Sequence, residues 1–168
     1  MADRVIRDLA ERLGAAFSGA KITLAVAESC TGGSLCAAIT EIPGSSVYFL
    51  GGVVAYHNEV KTKELGVPEE LIRTVGAVSE PAAIALADGV RRRFGADAGV
   101  GVTGIAGPGG GTPEKPVGTV CLGISADGVR HSGRRKFSGD RESVRGQAVA
   151  WALTELLLRV RAGRGDTK

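Results

Sequence analysis

Short β-rich apolar runs alternate with helix-patterned segments along this chain, and that alternation restricts the folds open to it. Residues 21–29, KITLAVAES, read as a buried strand ending in polar residues. Residues 51–58, GGVVAYHN, and 97–104, DAGVGVTG, read as two more. Helices fall between and around them. Val5, Leu9, Leu13 and Phe17 recur every four positions in residues 2–18, giving one apolar stripe. TGGSLCAAITEI predicts a helix from near Thr31 to before Pro43. VKTKELG predicts a short helix closed by Gly66, with Pro68 opening the next turn. Ser79 as N-cap, Pro81 in the first turn, three arginines in the last and Gly95 beyond them define another helix. Residues 119–137 predict two strands joined at Asp127-Gly128, and residues 138–162 a long last helix. The order predicts an α/β layered domain with a mostly parallel sheet and one antiparallel strand. Aromatic residues are only 4% of the chain, so its core must be built from Val, Ala, Leu and Ile. A sheet covered by helices suits that composition.

The 168 residues suffice for one domain, expected over residues 1–162, with 163–168 a polar tail. No apolar run reaches the roughly 18 residues of a membrane span. The N-terminus mixes charges into an amphipathic helix rather than an export signal, so a cytoplasmic location and no membrane partner are expected. The net charge of +3 is too small to imply nucleic acid, and the RRRF and GRRK runs lack interleaved aromatics. Three cysteines without a CxxC motif, and two histidines, indicate neither a disulfide framework nor a metal site.

In open α/β sheets, ligands collect beyond the carboxyl ends of the strands. Three polar strand ends are expected there: Glu28-Ser29, Tyr56-His57-Asn58 and Thr103-Gly104. Ser29 stands between a strand and a helix start, where the amides of Cys30, Thr31 and Gly32 could face an anion or an oxyanion. A Ser/Thr helix cap would explain the same residues. Cys30 could be a second nucleophile or an ordinary buried thiol. A serine nucleophile needs a base, and the two histidines are badly placed, which leaves a lysine of lowered pKa. Lys61 and Lys63 follow the second strand end; a solvated helix face is the simpler account of both. The loop after Thr103 carries Gly104, Gly107, Gly109, Gly110 and Gly111 and could wrap a phosphate or sugar, or be only a flexible connection.

Taken together, AESCTGG, PGSSVYFLGGVVAYHNEVK, GAVSEP, GVTGIAGPGGGTPEKPVGTV and FSGDRESVR resemble the CinA C-terminal domain family of nicotinamide-nucleotide amidohydrolases. The resemblance runs in order from about residue 5 to residue 160. It implies a three-layer α/β/α sandwich with a mixed sheet, like an anticodon-binding domain. It also implies hydrolysis of nicotinamide mononucleotide to the acid and ammonia, in pyridine nucleotide recycling, without a cofactor. Ser29 would be the nucleophile, Lys61 rather than Lys63 the base, and Tyr56 a partner in proton transfer. Ser46 would add a polar group to the site, and Thr103, Gly104 and Gly107 would line the nucleotide pocket. Arg145 would take the substrate phosphate. His57 stands where serine is usual in the family motif and is expected to point away from the pocket. The family's other, nucleotide-hydrolysing domain is not represented, so the chain resembles the stand-alone form, expected as a homo-oligomer, a dimer in preference. The alternative is a nucleotide-binding module without turnover.

Overall fold

The structure, a computed structural model, describes residues 2–162. The expected tail at 163–168 lies outside the described residues. The helices are α1 (Ala2–Ala20), α2 (Ser34–Thr40), α3 (Asn58–Leu65), α4 (Glu69–Val75), α5 (Glu80–Phe94) and α6 (Arg141–Ala162). The strands are β1 (Leu24–Glu28), β2 (Phe49–Val54), β3 (Ala98–Gly104), β4 (Thr119–Ala126) and β5 (Val129–Lys136). They form one sheet in the order β2-β1-β3-β4-β5. β2, β1 and β3 are parallel, and β4 pairs antiparallel with both β3 and β5. Only β4 therefore opposes the other strands, as the hairpin at Asp127-Gly128 requires.

Two helical layers cover the sheet. α1, α2 and α6 share a core with Leu24, Val26, Val100, Val102, Leu122 and Ile124 on one face. α5, flanked by α3 and α4, covers Ala25 and Ala27 on the other. The alternation in AGVGVTG explains the difference between the two layers. Successive strand residues point to opposite faces. The valines of β3 fill the first core, and its glycines pave the second face. A Cβ on Gly101 would lie 2.4 Å from the Ala83 carbonyl oxygen of α5, and one on Gly123 equally close to the same atom. α5 thus lies with its backbone against the sheet. Gly101→Val should lower the melting temperature steeply, by the strain of overpacking a contact made with backbone, typically about 1–3 kcal/mol or more. Gly109→Ala, whose Cβ would meet nothing, should leave it within about 0.5 kcal/mol. Parallel thermal melts decide the comparison.

The Ser79 cap is present, its Oγ accepting from the Ala82 amide at 3.2 Å, and Gly95 closes α5 with φ 61°. Three details differ from the sequence reading. Val5 is 51% exposed, and the buried line runs through Ala10, Leu13 and Phe17 with Ile6 and Leu9 beside it. Steps of four overshoot the 3.6-residue turn, so a strict four-residue stripe drifts off the buried face. α2 begins at Ser34 rather than near Thr31, because Gly32 (φ 60°) and Gly33 (φ 97°) hold a left-handed turn first. The segment after Pro68 forms α4, a helix too short to show a period.

Candidate functional site

The carboxyl ends of β1, β2 and β3 lead into one cavity of about 290 Å³. Ser29, Cys30, Tyr56, Lys61, Thr103 and Gly104 all line it. All three polar strand ends therefore reach the same place, as the topology of such a sheet favours.

Ser29 follows β1 directly and is 8% exposed. Its amide donates to the Val102 carbonyl at 2.9 Å, tying the residue to the end of β3. Glu28, fully buried, organises the turn between β1 and α2. Its carboxylate accepts from the amides of Gly33 and Leu35 at 3.0 Å each and of Cys36 at 2.8 Å. These are the open donors at the start of α2, where the capping position is a glycine without a side chain. A carboxylate also suits the positive end of a helix. Glu28 thus fixes the turn that carries Ser29. The sequence shows the acid closing the strand but not this role, because the helix start reads as Thr31 and the glycine cap at Gly33 is hidden.

Lys61 sits in the first turn of α3 with its side chain folded inwards, 2% exposed. Its Nζ donates to the Tyr56 carbonyl at 3.2 Å and to Asn58 Oδ1 at 3.4 Å. Both acceptors are neutral, and no carboxylate pairs with Lys61 among the described residues. Burial therefore lowers its pKa from the ordinary lysine value. Lys63 is a surface residue paired with Glu59 at 3.0 Å. Asn58, which also lines the cavity, was not singled out from sequence as a holder of the lysine. His57 does not line the cavity. It caps α3, its Nδ1 accepting from the Glu59 amide at 3.4 Å. Serine is a common residue at such a position, which accounts for the substitution without reference to chemistry.

Burial pushes the Cys30 thiol up to about 12. At neutral pH it is a protonated thiol and a poor nucleophile. The Thr103 hydroxyl donates to the Ala77 carbonyl at 2.8 Å, joining β3 to the segment before α5. At the rim, Arg141 donates to the Tyr56 hydroxyl and to the Gly107 carbonyl, each at 2.8 Å. Arg141, the first residue of α6, is thus the guanidinium that lines the cavity.

Four residues expected at the site stand elsewhere. Arg145 lies one helical turn beyond Arg141. It donates from Nη2 to the Thr31 carbonyl at 2.8 Å and to Ser34 Oγ at 2.8 Å, so it buttresses the turn before α2 instead of facing the cavity. Thr31 is fully buried, and its hydroxyl has no partner among the described residues. The Gly32 amide is engaged by the Ser29 carbonyl at 3.1 Å, which removes it as an anion donor. Of the three amides expected there, only that of Cys30 belongs to a cavity-lining residue. Ser46 lies in the 3₁₀ turn Ser45–Val47 before β2, at the opposite end of that strand from the cavity.

With this geometry the chain resembles known proteins closely. The family model described as CinA C-terminal domain matches residues 6–160. A CinA-like protein of Gemmatimonas aurantiaca is 58% identical over 135 residues, 80% of this chain and 32% of that protein. A putative competence-damage inducible protein of Moorella thermoacetica is 53% identical over 149 residues, 89% of this chain and 36% of that protein. The chain thus spans about a third of the length of these relatives. Among solved structures, competence/damage inducible protein CihA of Agrobacterium tumefaciens is 41% identical with a TM-score of 0.87, over 92% of this chain and 94% of that one. Competence damage-inducible protein A of Klebsiella pneumoniae is 33% identical with a TM-score of 0.89, over 93% and 97%.

Proposed function

The chain belongs to the CinA C-terminal domain family, and we propose that it hydrolyses the carboxamide of nicotinamide mononucleotide with Ser29 as nucleophile and Lys61 as base. One observation carries this reading. A buried lysine, held only by neutral oxygens, shares a small cavity with a serine at a strand-to-helix turn. A lysine so placed favours its uncharged form, and an uncharged amine can accept a hydroxyl proton. The names of the relatives describe a circumstance of expression, not a reaction, so the chemistry rests on the site.

The steps balance without another reactant than water. Ser29 Oγ attacks the amide carbon while its proton passes to Lys61 Nζ. The resulting oxyanion lies beside the Cys30 amide. Collapse breaks the C–N bond, and Lys61 returns its proton to the leaving nitrogen, releasing ammonia. Water then attacks the acyl-serine ester, giving up a proton to Lys61. The acid leaves as Ser29 recovers its proton. The test is ammonia release from nicotinamide mononucleotide by the purified chain in the presence of a chelator. Tight binding of the mononucleotide without ammonia would make the chain a nucleotide-binding module instead.

The phosphate of that substrate falls to Arg141 in this reading, in place of Arg145. A guanidinium can hold phosphate through two parallel hydrogen bonds. Arg141→Ala should lower kcat/KM on the mononucleotide by about 10-fold to 100-fold, as expected for loss of a charged hydrogen bond. The dephosphorylated riboside should lose little. An equal loss on both would mean that Arg141 serves only to hold Tyr56 and Gly107.

A further inference from the structure

On the hydrolytic reading of the site, we propose that Asn58 is a positioning residue for Lys61. Its side-chain oxygen turns the amine so that the free electron pair faces the cavity, and its lack of charge lets that pair stay free. Two lysines stand two residues apart on α3, and they are held differently. Lys63 lies four residues after Glu59 on the exposed face and pairs with its carboxylate at 3.0 Å. Lys61 lies three residues after Asn58, a spacing that puts both on one side of a helix. Its Nζ donates to Asn58 Oδ1 at 3.4 Å. The inward lysine thus meets an amide where the outward one meets an acid.

A neutral lysine amine carries two N–H bonds and one electron pair, arranged as a tetrahedron with its stem. Among the described residues Lys61 Nζ has two acceptors, the Tyr56 carbonyl and Asn58 Oδ1. Each takes one N–H, so neither lies against the electron pair. The pair is left for the remaining direction, and the cavity that Lys61 lines is the one that Ser29 lines. The Tyr56 acceptor is backbone, so Asn58 is the side chain that fixes the second bond. Without its oxygen the amine turns about its last bond, and the electron pair loses its direction.

The charged groups around Lys61 leave its charge state to residue 58. Cys30, in the turn after β1, is a protonated thiol at neutral pH. Tyr56, after β2, has its hydroxyl held by Arg141 of α6 at the rim. On α3 itself, Glu59 is taken by Lys63 and Glu64 by Arg93 of α5 at 2.8 Å. In α4, Glu70 is taken by Arg73, and Glu69 stands in an outer groove with Glu59 and Lys63. Burial therefore holds Lys61 below the ordinary lysine value. A carboxylate at residue 58 would oppose this, because an opposite charge within hydrogen-bond reach favours the ammonium.

Asn58→Asp separates this role from a structural one. A carboxylate in the first turn suits the positive end of α3, so the protein should melt at or above the parent's temperature. If Asn58 served the helix alone, activity would be unchanged. As a positioning residue it should move the acid limb of kcat/KM upwards by about one pH unit or more. At neutral pH that reads as a loss of about tenfold or more, recovered in alkaline buffer. Asn58→Ala should lower kcat about 10-fold to 100-fold by misdirecting the amine, with no upward move of the limb. An unmoved limb in Asn58→Asp, or an undiminished kcat in Asn58→Ala, would overturn the proposal. Titration of Lys61 by NMR, in protein carrying carbon-13 at lysine Cε and with Lys61→Met to identify the signal, reads the same effect without turnover. Its midpoint should rise in Asn58→Asp, and a midpoint equal to the parent's would also overturn the proposal. A parent chain that releases no ammonia while this rise is present would fault the hydrolytic reading and support the hold of Asn58 on Lys61.

Discussion

Ser29→Ala should abolish ammonia release from nicotinamide mononucleotide while the protein remains folded. The expected loss in kcat is on the order of 10⁴-fold or more, the scale at which removal of a serine nucleophile leaves only binding and oxyanion stabilisation. The fold should survive because the residue is held through its backbone, by the amide bond to Val102 and the carbonyl bond from Gly32, and these do not involve its hydroxyl. Glu28 and Arg145 keep the turn in place from either side. Cys30 cannot replace the lost group, since burial keeps its thiol protonated at working pH. The matching control is Cys30→Ala, which should retain most of the activity. If instead Cys30→Ala were inactive and Ser29→Ala near normal, the nucleophile would be the thiol. Assay of both proteins after confirming equal thermal melts separates the two.

Much of this site is written locally, and that part is legible in the sequence. A strand ends where its apolar run meets Glu28-Ser29, and a parallel sheet gathers such ends on one side, so Ser29, Tyr56 and Thr103 can be placed together. Lys61, by contrast, is chosen over Lys63 only by the family resemblance, since spacing alone favours a solvated helix face for both. The illegible part depends on side chains that travel far. Arg141 and Arg145 share a helix face four residues apart, and nothing in SGDRESVR says which one meets the glycine loop. The choice is made by the loop, whose Gly107 carbonyl takes Arg141, and by α2, whose preceding Thr31 carbonyl takes Arg145. Glu28 poses a similar difficulty. Strand-end carboxylates often face ligands, whereas this one is consumed by three backbone amides. The Thr31–Gly33 turn reads as helix because its glycines look the same in sequence whether they open a helix or delay it.

Lys61→Met should separate catalysis from stability. Methionine matches the lysine stem in length and has no charge to bury. Activity should fall by at least the roughly hundredfold typical of losing a general base, and by more if Lys61 serves both steps. Lys61→Arg should be equally inactive, because a guanidinium keeps its proton and cannot act as a base. If Lys61 contributed only positive charge, the arginine protein would keep substantial activity. Stability should move the other way. Lys61 is buried with neutral partners only, so its charged form is disfavoured in the folded chain and its pKa is lowered from 10.5. Between the lowered folded value and the unfolded one, the unfolded chain binds more protons, and stability rises with pH there. Below that window the charge is buried and the full penalty is present; above it the amine is neutral in both states and the penalty is gone. Lys61→Met should therefore melt higher than the parent at neutral pH, with the gap closing as pH rises towards the ordinary lysine range. The parent's kcat/KM should rise with pH through the lowered value for the same reason. A methionine protein that melts lower than its parent at neutral pH would mean that Lys61 is held in the fold by its charge, and its role as a neutral base would fail.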